Sequence, residues 1–243
     1  MRVWSKTDVG AVRKENQDAF AEQHYNQEEA LLIVCDGMGG AKGGAVASKM
    51  AIETICEVLG QNIKPHRTTT QLADLLLEAA EKANKKVFDT ALGDESLNGM
   101  GTTMVCLLQS GDNMVVGNIG DSRAYLIDED GMQQITADHS LVAEMLRRKE
   151  ITPQQAQHHP NKNVITRALG VDQRVTCDIF PLKKKKGQYI LLCSDGLTNE
   201  VSEPEIYYEV YHSQKPEQAC ETLIEIAKTR GGHDNITVML ASF

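Results

Sequence analysis

The stretch Leu31-Leu-Ile-Val-Cys-Asp-Gly-Met-Gly-Gly40 constrains this chain more than any other. Its unbroken apolar run is too short for a bilayer and has the length of a buried strand. The run stops at a carboxylate, Asp36, and glycines follow at 37, 39, 40, 43 and 44. Asp-Gly is commonly a hairpin turn, but a hairpin needs a second strand at once, and residues from about 45 carry a helical pattern instead. Asp36 therefore stands where a buried strand ends, beside backbone that can approach a ligand closely. The arrangement recurs in Tyr189-Ile-Leu-Leu-Cys-Ser-Asp-Gly-Leu197, where an apolar strand delivers Asp195 and Gly196. Two carboxylates on the ends of buried strands repel unless something neutralises them. A hard divalent cation does so with the oxygen ligands it prefers.

Composition narrows the partners. A chain of 243 residues can bury a full core, as one large domain or as two. Its formal charge of −9 disfavours nucleic acid, which needs a basic face. The tract Lys183-Lys-Lys-Lys186 precedes Gly187 and a strand, and it reads as a solvated turn. Met1–Lys6 lacks a secretory apolar core, and no stretch reaches transmembrane length, so no membrane insertion is expected. The six cysteines form no Cys-x-x-Cys pair and sit mostly inside apolar runs. They read as reduced, packed thiols of a cytoplasmic protein.

Along the chain, residues 2–8 and 19–25 read as short strands joined by a polar loop that holds Arg13 and Asp18. Helices are expected over 45–60 and 71–90, each with one core-facing stripe. From Met100 the period drops to two, and 102–108, 113–119 and 123–127 read as an antiparallel meander with Asp121 in its Gly120-Asp-Ser-Arg123 turn. Residues 139–169 interrupt the pattern with polar helix and loop. Asp138 is placed to cap a helix through about Arg148, Thr152-Pro153 opens a shorter one, and His158-His159-Pro160 reads as loop. Such an insertion beside a sheet edge serves as a lid or as decoration. After the 189–193 strand come helices over about 203–212 and 216–229. Asp234 then begins the last strand after two glycines, a third carboxylate at a strand terminus.

Taken together, Arg13-x-x-Asn16-Gln-Asp18, Asp36-Gly-Met-Gly-Gly40, Gly101-Thr-Thr103, Gly120-Asp-Ser-Arg123, Asp138-His-Ser140, Ser194-Asp-Gly196 and Gly232-x-Asp234-Asn-Ile-Thr237 resemble the metal-dependent serine/threonine protein phosphatases, in particular the bacterial branch of the type 2C (PPM) family. The seven motifs occur in order across essentially the whole chain. The resemblance implies an α+β fold, a four-layer α-β-β-α sandwich of two antiparallel sheets flanked by helix pairs. The whole chain, 1–243, would be one phosphatase domain with 139–169 as its flap insertion.

It also implies two tightly held Mn²⁺ or Mg²⁺ ions and a third, weaker one. Asp36 would bridge both tight ions and the Gly37 carbonyl would help hold the second. Asp195 and Asp234 would complete the first, Asp121 would hold the weak ion, and Asp18 would accept from coordinated water. The substrates implied are phosphoserine and phosphothreonine proteins, with water as the nucleophile and no Ser or Cys required. Two ions screen an anionic phosphomonoester and activate that water, and the planar fork of Arg13 suits two phosphate oxygens. A membrane-anchored serine/threonine kinase is the implied counterpart, and nothing demands more than a monomer. Many eukaryotic members place His after Asp-Gly as a general acid. Here Met38 stands there, and a thioether cannot donate a proton. The alternatives are a non-catalytic phosphatase-like regulatory module and a metal-dependent phosphodiesterase.

Overall fold

Glu29–Cys35 is buried at every residue, and the reason is that both of its faces are covered. The structure, a computed structural model, describes residues 1–157, 159–212 and 215–243. Its strands begin with β1 (Arg2–Asp8), β2 (Ala19–His24), β3 (Glu29–Cys35) and the two-residue β4 (Gly37–Met38). Helices α1 (Gly40–Asn62) and α2 (Thr69–Gly93) follow. Next come β5 (Gly101–Thr102), β6 (Met104–Ser110), β7 (Asn113–Ile119), β8 (Arg123–Asp128) and β9 (Gly131–Gln134). The insertion carries α3 (Leu141–Arg147) and α4 (Pro153–Gln157). The chain closes with β10 (Asp178–Lys183), β11 (Tyr189–Cys193), α5 (Asp195–Thr198), α6 (Glu203–Tyr211), α7 (Pro216–Thr229) and β12 (Ile236–Ser242).

Two five-stranded antiparallel sheets result, one ordered β1-β12-β11-β8-β9 and the other β10-β7-β6-β3-β2. They pack face to face through Leu32, Val34, Val105 and Leu107 on one side and Ala124, Ile190, Leu192 and Met239 on the other. The alternate residues Leu31, Ile33 and Cys35 point outward onto α1 and α2. On the opposite face Leu191, Cys193, Val238 and Leu240 meet α6 and α7. This is the expected α+β sandwich of four layers. Period-two alternation survives in it, but since both faces are apolar it reads as a continuous run.

Several local expectations are corrected. The meander over 102–127 is broken: β6 and β7 pair in one sheet, whereas β8 pairs β11 in the other. The Gly120–Arg123 turn thus crosses between sheets and leaves Asp121 at the end of the sandwich. Helix α1 begins at Gly40 instead of about 45, after Gly39 in the left-handed region at φ 116°. The early start is a packing effect: a Cβ at Gly37 would lie 2.1 Å from the Gly44 carbonyl oxygen, so two glycines let the helix close onto the strand end. Asp138 does not cap α3. Ser140 does, accepting from the Ala143 N–H, while Asp138 takes three hydrogen bonds from the Arg123 guanidinium. Strands β9 and β10 were not anticipated, and Lys183 ends β10 before the tract turns. The insertion is tied at its base by bridges Ser140↔Ile165 and Thr102↔Leu169. His158 lies outside the described residues.

Candidate metal centre

Each candidate carboxylate sits where an element stops, so the sandwich delivers all of them to one end. Asp36 follows β3, and its backbone is clamped from both sides. Its N–H donates to Thr103 Oγ1 at 2.9 Å, and its carbonyl accepts from the Thr103 N–H at 2.9 Å and the Thr102 hydroxyl at 2.8 Å. Thr103 in turn meets the Ser122 hydroxyl at 2.7 Å, which fixes the Asp121 turn against the Asp36 strand end. Gly120 holds that turn at φ 108°, and a Cβ there would come within 2.6 Å of the Thr103 side chain. Asp195 is the first residue of α5, with Oδ2 accepting from Asn199 Nδ2 at 2.9 Å. Asp18 precedes β2 and reaches across to the other sheet. Its Oδ2 accepts from the Thr237 hydroxyl at 2.6 Å and the Ser194 hydroxyl at 2.8 Å. Asp234 accepts Arg13 Nη2 at 2.6 Å and its neighbour's N–H, from Asn235, at 2.8 Å.

A cavity of about 620 Å³ opens over this end, lined among others by Arg13, Asp36, Gly37, Asp121, Asp195 and Asp234. Asp18 lies beneath its floor, 7% exposed. Asn163 and Ile165 of the 139–169 insertion contribute to the wall, so that segment does border the site. The structure therefore gathers every residue named from the sequence. It also adds supports that single motifs did not announce: Ser194, Thr237 and Thr103 hold the carboxylates. Asn235 ties the loop bearing Arg13 by donating to the Val9 and Glu15 carbonyls and accepting from the Gln17 N–H. These four belong to the quoted motifs, and the available signal was a hydroxyl or amide beside each acid. One placement differs in detail: Arg13 lines the cavity but is paired with Asp234.

The electrostatics are those of an anionic cluster short of positive charge. Burial, with Asp18 and then Asp195 nearby, pushes Asp36 well above the ordinary carboxylate range. Asp195 is raised by burial and by Asp234. Burial pushes Asp121 up to about 8, with Asp195 and Asp138 adding to it. Asp18 rises to about 7 through burial, although the Thr237 and Ser194 bonds oppose the shift. Two carboxylate oxygens, Oδ1 of Asp18 and Oδ1 of Asp195, are buried without any hydrogen-bond partner. An orphaned buried carboxylate oxygen among like charges is costly unless a cation meets it. Among the described residues, no three His, Cys, Asp or Glu side chains close on a single point as a ready-made cage.

These shifts fix the sign of a stability trend. Unfolded, these carboxyls ionise near 3.8; folded, Asp18 and Asp121 hold their protons to about 7 and about 8. Between those limits the folded metal-free chain binds more protons than the unfolded one, so its stability falls as pH rises. In EDTA, the melting temperature is expected to decline from about pH 5 to pH 8, and saturating Mn²⁺ should flatten the decline. A melting temperature that climbs over that range in EDTA would contradict the burial of these protons.

The chain matches the family description "Protein phosphatase 2C" over residues 11–239. It is similar to the serine/threonine phosphatase stp of Listeria innocua, 38% identical over 97% of this chain and 93% of that protein. It is likewise similar to protein phosphatase PhpP of Streptococcus pneumoniae, 37% identical over 100% of this chain and 97% of that one. Among solved structures, serine/threonine phosphatase Stp1 from Staphylococcus aureus superposes with a TM-score of 0.93 at 34% identity, covering 99% of this chain and 94% of that chain. The catalytic domain of the serine/threonine protein phosphatase PstP, in complex with two manganese ions, superposes at 0.87 with 31% identity, covering 99% and 97%. A sandwich whose strand ends gather buried acids, matched over nearly its full length by such relatives, belongs to the protein phosphatase 2C family and is a bacterial-type serine/threonine protein phosphatase.

Proposed function

We propose that this chain hydrolyses phosphoserine and phosphothreonine in proteins at a binuclear Mn²⁺ or Mg²⁺ centre, and that the whole of 1–243 acts as one phosphatase domain with 139–169 as its flap. The observation that carries the reading is the pair of orphaned oxygens, on Asp18 and Asp195, inside a buried cluster with Asp36, Asp121 and Asp234. In this reading Asp36 would serve both tight ions, the Gly37 carbonyl would help hold the second, Asp195 and Asp234 would complete the first, and Asp121 would hold a third, weaker ion. Bound ions neutralise the cluster, screen the phosphate and make water nucleophilic at neutral pH.

The rest of the work falls to side chains. Asp18 is held by Oδ2 on Ser194 and Thr237, which leaves Oδ1 directed to accept a proton from a water in the site. Arg13, now on Asp234, is 55% exposed at its side chain and can turn its fork to two phosphate oxygens without leaving the cavity. Met38 offers no proton at the position after Asp-Gly, so the leaving alkoxide would take its proton from water in the site or from another group. The counterpart in the cell is a membrane-anchored serine/threonine kinase, and the phosphatase works in the cytoplasm as a monomer. Among the described residues no helix is long and apolar enough to cross a membrane.

The test is hydrolysis with Mn²⁺ of a phosphothreonine peptide beside bis-p-nitrophenyl phosphate, a diester. The peptide is expected to be turned over at least about 10²-fold faster in kcat/KM, since a diester presents one free oxygen and one negative charge fewer for the cations and Arg13 to hold. Faster diester cleavage would favour the phosphodiesterase alternative, and no turnover of either would favour the non-catalytic module.

A further inference from the structure

The Asp138-His-Ser140 motif is not used up by the reaction, and His139 sits at a junction of three segments. Its ring is 8% exposed and lines neither the cavity over the carboxylates nor the adjoining one beneath α3 and α4. Two hydrogen bonds knot it to the residue before Asp121: its own N–H donates to the Gly120 carbonyl at 2.9 Å, and the Gly120 N–H donates to His139 Nδ1 at 3.0 Å. An Nδ1 that accepts leaves the only ring proton of a neutral imidazole on Nε2. That nitrogen lies 3.2 Å from Asp178 Oδ2, at the start of β10, and 3.0 Å from Arg167 Nη1. Asp178 Oδ1 takes Arg167 Nη1 from the end of the insertion at 2.7 Å, and the same guanidinium donates to the Thr176 carbonyl at 3.1 Å. The Thr166 N–H closes the knot on the His139 carbonyl at 2.8 Å.

We infer that His139 is a positioning residue: through Gly120 it fixes the turn that presents Asp121, and through Asp178 and Arg167 it ties that turn to the base of the 139–169 insertion. The inference rests on the reading of Asp121 as ligand of the weak ion. A buried ring whose Nε2 lies against Asp178 and Arg167, away from both cavities, is not placed to act as a general acid. Gly120 needs the tie because its φ of 108° lies in the left-handed region and Thr103 crowds it from the other side. A partner of this outer kind sets how well a ligand is aimed, and its loss typically costs about 10–100-fold in metal affinity.

The test uses the full chain: wild type, His139→Gln, His139→Asn and Asp121→Asn, each checked for folding by circular dichroism and thermal melting. Free Mn²⁺ is titrated by electron paramagnetic resonance, and turnover of a phosphothreonine peptide is followed against Mn²⁺ concentration. His139→Gln reaches toward Asp178 but lacks the acceptor for Gly120. It should weaken the weakest Mn²⁺ site about tenfold, raise the Mn²⁺ needed for half-maximal turnover to match, and keep the two tight sites. His139→Asn places an oxygen where Nδ1 stood and should remain within about threefold of wild type. A folded His139→Gln variant that binds Mn²⁺ as wild type does, while Asp121→Asn loses the weak site, overturns the inference alone. Asp121→Asn without effect on any site overturns the reading beneath it. Equal losses in the Asn and Gln variants would show a ring that only fills space, and would also overturn the inference. If His139→Gln fails to fold, Asp178→Ala leaves the Gly120 bond intact, frees Nε2 and should weaken the same site at least about threefold. An unchanged site there counts against the tie.

Discussion

Asp36→Asn is expected to abolish phosphatase turnover while making the metal-free protein more stable. The side chain is isosteric, so the clamp on the Asp36 backbone by Thr102 and Thr103 should survive. What goes is a negative charge that burial and Asp18, Asp195, Asp121 and Asp234 all oppose. Relief of one uncompensated buried charge is worth at least about 1–2 kcal/mol, or roughly 2–8 °C in melting temperature for a chain of this size. Turnover moves the other way. Charge stabilisation by bound metal supplies several kcal/mol, each 1.4 kcal/mol or so is a decade, and the loss is expected to be about 10³-fold or more. Melting in EDTA and kcat/KM with Mn²⁺ measure the two effects separately. If the variant melted lower in EDTA, Asp36 would be a structural hydrogen-bond acceptor and not a charge held for a cation.

The acids that gather at one end of the sandwich are easier to pick out of the sequence than parts of the fold. A carboxylate ending an apolar run and followed by a helix instead of a returning strand is not explained as a turn, and Asp36 and Asp195 both stand so. The run at 31–35 was legible because both faces are covered, so no polar residue interrupts it. Strand β10 was not, because it is an edge strand with Pro181 and Lys183 in it and only partial burial. The crossing between β7 and β8 left no local trace: a Gly-Asp-Ser-Arg turn looks the same whether the next strand returns to its own sheet or passes to the other. The placement of Asp138 was lost for a related reason. A helix cap is a contact over three residues, whereas its actual partner, Arg123, is fifteen residues back and binds through three hydrogen bonds. Arg13 and Asp234 are 221 positions apart, and no pattern along the chain could pair them.

Chelation should silence the enzyme, and the order in which ions restore it should report on the donor set. The chain offers carboxylates gathered around one cavity and one strand-end carbonyl, an all-oxygen set. Ca²⁺ takes about six to eight oxygens at roughly 2.3–2.6 Å, whereas Mg²⁺ demands near-octahedral geometry at about 2.0–2.1 Å and keeps several waters. An all-oxygen set that leaves positions for water suits Mg²⁺ or Mn²⁺. Turnover of a phosphothreonine peptide is expected to fall at least about 10²-fold in excess EDTA, the scale of a Lewis acid worth several kcal/mol. Added Mn²⁺ should recover it, and Ca²⁺ should recover less than about a tenth as much. Binding must be read apart from rate, because Ca²⁺ can occupy the carboxylates without supporting chemistry. Melting supplies that reading: an ion at about 100 times its dissociation constant adds about 2.7 kcal/mol, or roughly 5–11 °C here. Ca²⁺ that raises the melting temperature but not the rate fits carboxylates arranged for charge and a reaction that needs a smaller, harder ion. Full turnover in EDTA would leave the orphaned oxygens of Asp18 and Asp195 without a purpose and remove the metal centre from the mechanism altogether.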